Sequence, residues 1–183
     1  AVSPVVYTCD EHSSVYHHLA AHGARGLALT HLDAHCDLRG TLIDRETGTA
    51  WLRRPDLRIS ASTYLSHLVA ERIASDLLWV HDEVGGRAND LHTVLYTSDL
   101  DRLVYRLLRR PSGPGVGIAY REIDYAAWRH RDPGRVLDID WDFFEDWRKD
   151  EGRASREIAE LLFLRAVLFF AIRFHDDQCS VFQ

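Results

Sequence analysis

Apolar positions fall in short blocks separated by turn-forming residues, and two kinds of spacing alternate along the chain. Nearly continuous apolar runs, the mark of strands buried on both faces, lie at Pro4 to Cys9 (PVVYTC), Gly26 to Asp33 (GLALTHLD), Asp76 to His81 (DLLWVH), Thr93 to Tyr96, Val116 to Ile123 and Arg135 to Trp141 (RVLDIDW). Between them the spacing is helical. Ser13 or Ser14 is placed to cap a helix through Ala21, which Gly23 would end in the left-handed conformation. Leu65, Leu68, Val69 and Ile73 share one face of a helix over residues 62–74, and Leu100, Leu103, Val104, Leu107 and Leu108 one face of another over 99–109. A closing core helix is predicted from about Ala154 to Phe174. Glu160 and Arg165 interrupt it, so it falls short of the ~20 uninterrupted apolar residues of a membrane span. Leu38 to about Ile59, rich in Gly, Thr and Arg and containing Pro55, reads as an irregular loop.

Strands alternating with helices predict an α/β fold, a three-layer α/β/α arrangement around a mostly parallel sheet. No repeat, linker or low-complexity tract divides residues 1–183, which read as one domain. With 28 acidic and 22 basic side chains the net charge is −6, which argues against nucleic-acid and membrane-surface partners. Cys9, Cys36 and Cys179 form no CxxC and cannot pair completely, and the first residues show no basic leader with an apolar core. A reducing, cytoplasmic setting is the expectation. Lys149 is the single lysine, and without GK[ST] a Walker phosphate loop is excluded. The absence of methionine reads as a trimmed chain, with the carboxyl end cut short as well. Nothing in the sequence specifies an oligomer.

Chemistry concentrates in two strand ends, HLDAHCD at residues 31–37 and LDIDWD at residues 137–142. Alternation along a strand would send Asp33, His35 and Asp37 out of one face, and Asp138, Asp140 and Asp142 likewise. The carboxyl ends of strands are where open parallel sheets gather functional groups. Up to five carboxylates would converge there with no lysine or arginine inside either triplet, so a divalent ion or a pair of them is the simplest counter-charge. Cys36 would point away from His35. Oxygen and imidazole donors suit Mn²⁺ first, then Fe²⁺, Co²⁺ or Zn²⁺, with Mg²⁺ less apt. Two such ions sharing a carboxylate lower the pKa of a water between them.

DAHCD (Asp33 to Asp37) resembles the DAHxD signature of the arginase and agmatinase ureohydrolases, and LDIDWDFF (Leu137 to Phe144) resembles their second signature. The likeness is greatest to the peptide arginases, which convert arginine side chains within a peptide to ornithine and release urea. That branch shows a Glu-His after the first strand, as in Asp10-Glu11-His12 here, and the resemblance runs from about residue 5 to 145. It implies an arginase-like fold, two Mn²⁺ ions per chain and an arginine-containing peptide or small guanidino compound as substrate. By position, His12 would ligate one ion and His35 the other, Asp33 and Asp138 would bridge them, and Asp37 and Asp140 would complete the set. Glu11 and Asp142 would stand behind the ligands or at the rim. Ureohydrolases use a downstream histidine as a proton shuttle, and His67 resembles it. Arginases hold the guanidinium with a later glutamate, for which no matching strand follows Asp142. Glu122, Asp124 and Glu145 are substitutes among which the sequence does not choose. Arg87, in the polar loop at 85–90, is placed to meet a substrate carboxylate.

Two other functions compete. A non-catalytic metal- or peptide-binding module on the same fold would bind metal without turnover. A haloacid-dehalogenase-type phosphatase is suggested by Asp138-x-Asp140, but its motif belongs near the amino terminus with a partner lysine. His18 and His22, at helical i, i+4 spacing, lack the glutamate of HExxH and read as a helix face.

Overall fold

A computed structural model of the chain describes residues 5–44, 49–52, 58–82, 95–96, 118–128, 134–144, 156–157, 159–160 and 167–171. In chain order these form β1 (Val5–Cys9), α1 (Ser14–Ala21), β2 (Leu27–Leu32), β3 (Thr41–Asp44), β4 (Thr49–Leu52), α2 (Tyr64–Ala70), β5 (Ala74–His81), β6 (Leu95–Tyr96), β7 (Ile118–Asp124), β8 (Val136–Asp140) and β9 (Val167–Ala171). All strands join one sheet in the order β1-β9-β8-β2-β5-β7-β4-β3-β6. The pairs from β1 across to β7 are parallel. Only β4 runs antiparallel to its neighbours, β3 and β7. The fold is α/β with a mostly parallel sheet, as the alternation of spacing predicts.

The long apolar runs are explained by burial on both faces. Along β5, Leu77 and Trp79 enter one core with Val15 and Leu19 of α1 and Leu65, Leu68 and Val69 of α2. Leu78 and Val80 enter the other, with Leu32, Leu137, Ile139, Trp128, Phe143 and Phe144. The predicted inward face of α2 is thus the face that packs. The helix is shorter than predicted, because Arg72 takes a left-handed φ of 57° and the chain turns straight into β5. At α1 no serine side chain caps the helix; a turn does so, with Ser14 N–H donating to the Glu11 carbonyl at 2.9 Å. Gly23, at φ 64°, ends α1 as expected.

Two predictions fail. Part of the stretch read as irregular loop is the β3–β4 hairpin, in which Thr41 pairs with Leu52 and Asp44 with Thr49. The closing helix is also broken, since residues 156–157 and 159–160 are helical but Val167–Ala171 is β9, inserted between β1 and β8. An unbroken apolar run such as VLFFA carries no period, so helix and buried strand are not separable by spacing. The predicted helix over 99–109 lies outside the described residues. No helix among the described residues is long and apolar enough to cross a membrane.

Just before β8, Arg135 is buried and ties three strands together at the end of the sheet opposite the carboxylates. Its Nη1 and Nη2 donate to Asp76 at 2.7 and 3.0 Å, Nε to Thr30 Oγ1 at 3.0 Å, and Nη2 also to the Leu29 carbonyl at 2.6 Å.

Candidate metal centre

Strand β2 is where the chain order reverses. The chain proceeds from β2 to β5 and β7 on one side, then returns across β2 to β8 and β9 on the other. Such a switch point opens a crevice at the carboxyl ends of the two strands that flank it. Here those strands are β2 and β8, in a parallel register that sets His31 beside Asp138.

The convergence of carboxylates is made by turns rather than by pleating. Strand β2 stops at Leu32, and the Asp33 side chain folds the chain back by accepting from the His35 backbone N–H at 2.7 Å. Asp37 then adopts φ 49°, a left-handed conformation that aspartate tolerates better than most residues. Strand β8 stops at Asp140, and Asp142 lies on a tight 3₁₀ turn whose N–H donates to Asp140 Oδ1 at 3.3 Å. His12 reaches in from the turn between β1 and α1. Cys36 is buried in the core that α1 and α2 cover.

His12 is the centre of the arrangement. Its Nδ1 stands 3.1 Å from Asp140 Oδ2, 3.2 Å from Asp37 Oδ2 and 3.4 Å from Asp33 Oδ2. Yet neither His12 Nδ1 nor Asp33 Oδ2, both buried, has a hydrogen-bond partner. Donor atoms on adjacent vertices around a divalent ion, with bonds of about 2.1 Å, stand roughly 3 Å apart. On its other side, Nε2 of His12 lies 3.0 Å from Asp138 Oδ1. A ligating histidine anchored through its second nitrogen to a carboxylate has this form. Two groups bring donor atoms within 4.8 Å of one another, His12, His31 and Asp33 in one and Asp33, His35 and Asp142 in the other, so Asp33 belongs to both. In the first, His31 Nε2 stands 3.2 Å from Asp33 Oδ2. In the second, His35 Nδ1 lies 2.8 Å from Asp142 Oδ2 and 3.6 Å from Asp33 Oδ1.

Two residues not anticipated from the sequence complete the cluster. His31, fully buried, directs Nδ1 to Asp138 Oδ2 at 3.0 Å and donates from Nε2 to the His35 carbonyl at 3.1 Å. Tyr64, also fully buried at the start of α2, donates its hydroxyl to Asp138 Oδ2 at 2.5 Å. His31 had a signal, since it precedes Asp33 by two residues and shares its strand parity. Tyr64 had none. Asp138, which the resemblance makes a bridging ligand, has the donors of His12, His31 and Tyr64 around it.

Burial would lower the pKa of His31, but Asp33 and Asp138 outweigh it and raise it to about 10. Burial likewise opposes ionisation of Asp33 and Asp138, yet the adjacent imidazoles hold both below the usual carboxylate range. Asp37 is pushed up to about 6 by burial and by the charge of Asp33. Asp142 is pushed up to about 7 by burial, which with Asp33 and Asp140 outweighs the pull of His35. Burial is the larger cause of both shifts, and neighbouring carboxylate charge adds to it. Five carboxylates face three imidazoles, so even three imidazolium ions would leave two charges unmatched. The described arginine ion pairs, from Arg121 and Arg135, are both made to Asp76. The donor set therefore fits a divalent cation.

The remaining predicted residues lie farther out. Glu11 is exposed beside His12. Glu122 is on β7, two strands from β2, and accepts from the Tyr120 hydroxyl at 2.9 Å. Asp124 accepts from Ala126 N–H at 2.7 Å in the turn after β7. His67 is half-buried on α2 with its ring 5.9 Å from that of Tyr16. Arg87 and Glu145 lie outside the described residues.

No protein-family model matches the sequence, and no curated protein matches it. Among solved structures, a proclavaminate amidino hydrolase from Streptomyces clavuligerus is similar at a TM-score of 0.41 and 15% identity, over 93% of this chain and 56% of that one. The chain thus spans about half the length of that protein.

Proposed function

We propose that this chain is a dinuclear metal-dependent hydrolase of the carbon–nitrogen bond of a guanidino group, converting arginine side chains in a peptide to ornithine with release of urea. The observation that carries the metal part is His12 Nδ1, without a hydrogen-bond partner and with three carboxylate oxygens at 3.1–3.4 Å. His12, Asp33, Asp37 and Asp140 would hold the buried ion, and Asp33, His35 and Asp142 the more exposed one. Asp138, which the resemblance makes a bridging ligand, orients the His12 ring from behind. Oxygen-rich donors with imidazole favour Mn²⁺. When bound, the ions supply Lewis acidity and an activated water.

The guanidino part rests on the two motifs, DAHCD and LDIDWDFF. The accessible side of the site is that of His35 and Asp142, whose side chains are 39% and 30% exposed. That is the side a peptide-borne arginine would enter. His67, one helical turn beyond Tyr64, would pass protons toward solvent. The test is urea release from arginine-containing peptides by the Mn²⁺-loaded protein, with His67→Ala as comparison. Urea formed, and turnover about 10²-fold slower in His67→Ala at unchanged metal content, is the expected result. Stoichiometric metal with no hydrolysis of any guanidino compound would make the chain a binding module instead.

A further inference from the structure

We propose that Tyr64 is a positioning residue of the metal centre, whose hydroxyl fixes the Asp138 carboxylate and, through it, the orientation in which His12 aims Nδ1 at Asp33, Asp37 and Asp140. The inference rests on the metal reading above and adds to it a residue that carries no recognisable sequence signal.

Asp138 is clamped from two layers. Within the sheet, His31 stands beside it in register and reaches Oδ2 with Nδ1 at 3.0 Å. From the helix layer, Tyr64 reaches the same oxygen with its hydroxyl at 2.5 Å. The other oxygen, Oδ1, is thereby left to His12 Nε2 at 3.0 Å. The Tyr64 ring also packs against the His12 ring, with centroids 4.7 Å apart. A phenol is an O–H donor at neutral pH. Its proton therefore goes to the carboxylate, and the hydroxyl oxygen, 3.0 Å from His12 Nε2, closes the triangle. Because both Tyr64 and Asp138 are fully buried, no water replaces the hydroxyl without enlarging the site. Without that contact Asp138 Oδ2 keeps His31 alone, the carboxylate is less firmly fixed, and the His12 ring bonded to Oδ1 shifts with it.

Hydrogen-bond partners behind metal ligands typically set affinity by about 10–100-fold. The experiment compares wild type with Tyr64→Phe, which keeps the ring and removes the hydroxyl. Free Mn²⁺ is followed by electron paramagnetic resonance during titration, and the visible absorption of Co²⁺-loaded protein reports ligand geometry. Far-ultraviolet circular dichroism in EDTA checks that both proteins are folded. Mn²⁺ binding weaker by about 10–100-fold, with a shifted Co²⁺ band, is the expected result. Binding within about twofold of wild type and an identical Co²⁺ band would overturn the inference, leaving Tyr64 a packing residue. If wild type binds neither ion, the metal reading itself fails, which is a separate result. Should Tyr64→Phe not fold, 3-fluorotyrosine at position 64 alters donor strength while preserving shape. A change in Mn²⁺ affinity of about twofold or more supports the inference, and no change overturns it.

Discussion

His12 and Asp33 divide the work of the site between them. His12 has one nitrogen on an orienting carboxylate and the other among three more. Asp33 belongs to both candidate groups, so its two oxygens set how the groups sit relative to each other. Removing a shared ligand and removing a peripheral one should therefore differ in stoichiometry. Asp33→Ala is expected to lose all bound Mn²⁺, whereas Asp142→Ala keeps about one ion per chain, as read by elemental analysis after gel filtration. Equal losses in both variants would mean that the groups do not share Asp33. The aspartates and His35 were legible in the sequence because two short motifs hold them at fixed spacing. The way they converge was not, since turns at Asp33, Asp37 and Asp142 replace the regular pleat. Tyr64 was illegible for a different reason. Its partner is 74 positions away, and a tyrosine opening an amphipathic helix looks like any other core residue.

At the scale of elements, strands with polar punctuation were legible and unpunctuated ones were not. β2, β5, β7 and β8 fall within a few residues of the predicted runs, because each is bounded by Gly, Asp or Pro, and all but the half-exposed β7 are largely buried on both faces. The hairpin of β3 and β4 lacks a dense apolar run; its pairing to β6 and β7 supplies what its composition does not. β9 was concealed in a continuous apolar tract. Arg135 shows how the parallel strands are held at their amino ends. It is 8% exposed and forms a bidentate pair with Asp76, which is 31% exposed. Arg135→Met should cost about 1–3 kcal/mol in urea unfolding at pH 7, less than a fully buried pair because solvent screens Asp76. Asp76 is held below its ordinary pKa: burial would raise it, but Arg135 and then Arg121 lower it further. A depressed folded-state pKa stabilises above the unfolded value of about 3.9, and that contribution is lost as pH falls through the folded value. Wild type should therefore lose more stability than Arg135→Met between pH 7 and about pH 3. Parallel loss in the two proteins would show that the pair is not formed.

Across the whole molecule, topology and charge point to the same place. The reversal of strand order at β2 opens the crevice into which the chain directs five carboxylates and three imidazoles. A ligand that binds only the folded state raises its stability by mass action. Mn²⁺ should accordingly raise the melting temperature, and EDTA should reverse the rise; a melting temperature indifferent to both would mean no folded-state site. Competing with this account is a metal-free network, in which protonated His12 and His31 neutralise part of the charge. Elemental analysis of the purified chain after reconstitution with Mn²⁺, alongside Asp33→Ala/Asp138→Ala, separates the two most directly. The account predicts about two Mn²⁺ per wild-type chain and background in the double variant. Wild-type metal no higher than that background would contradict it, and the cluster would then be a buried polar network held by its own histidines.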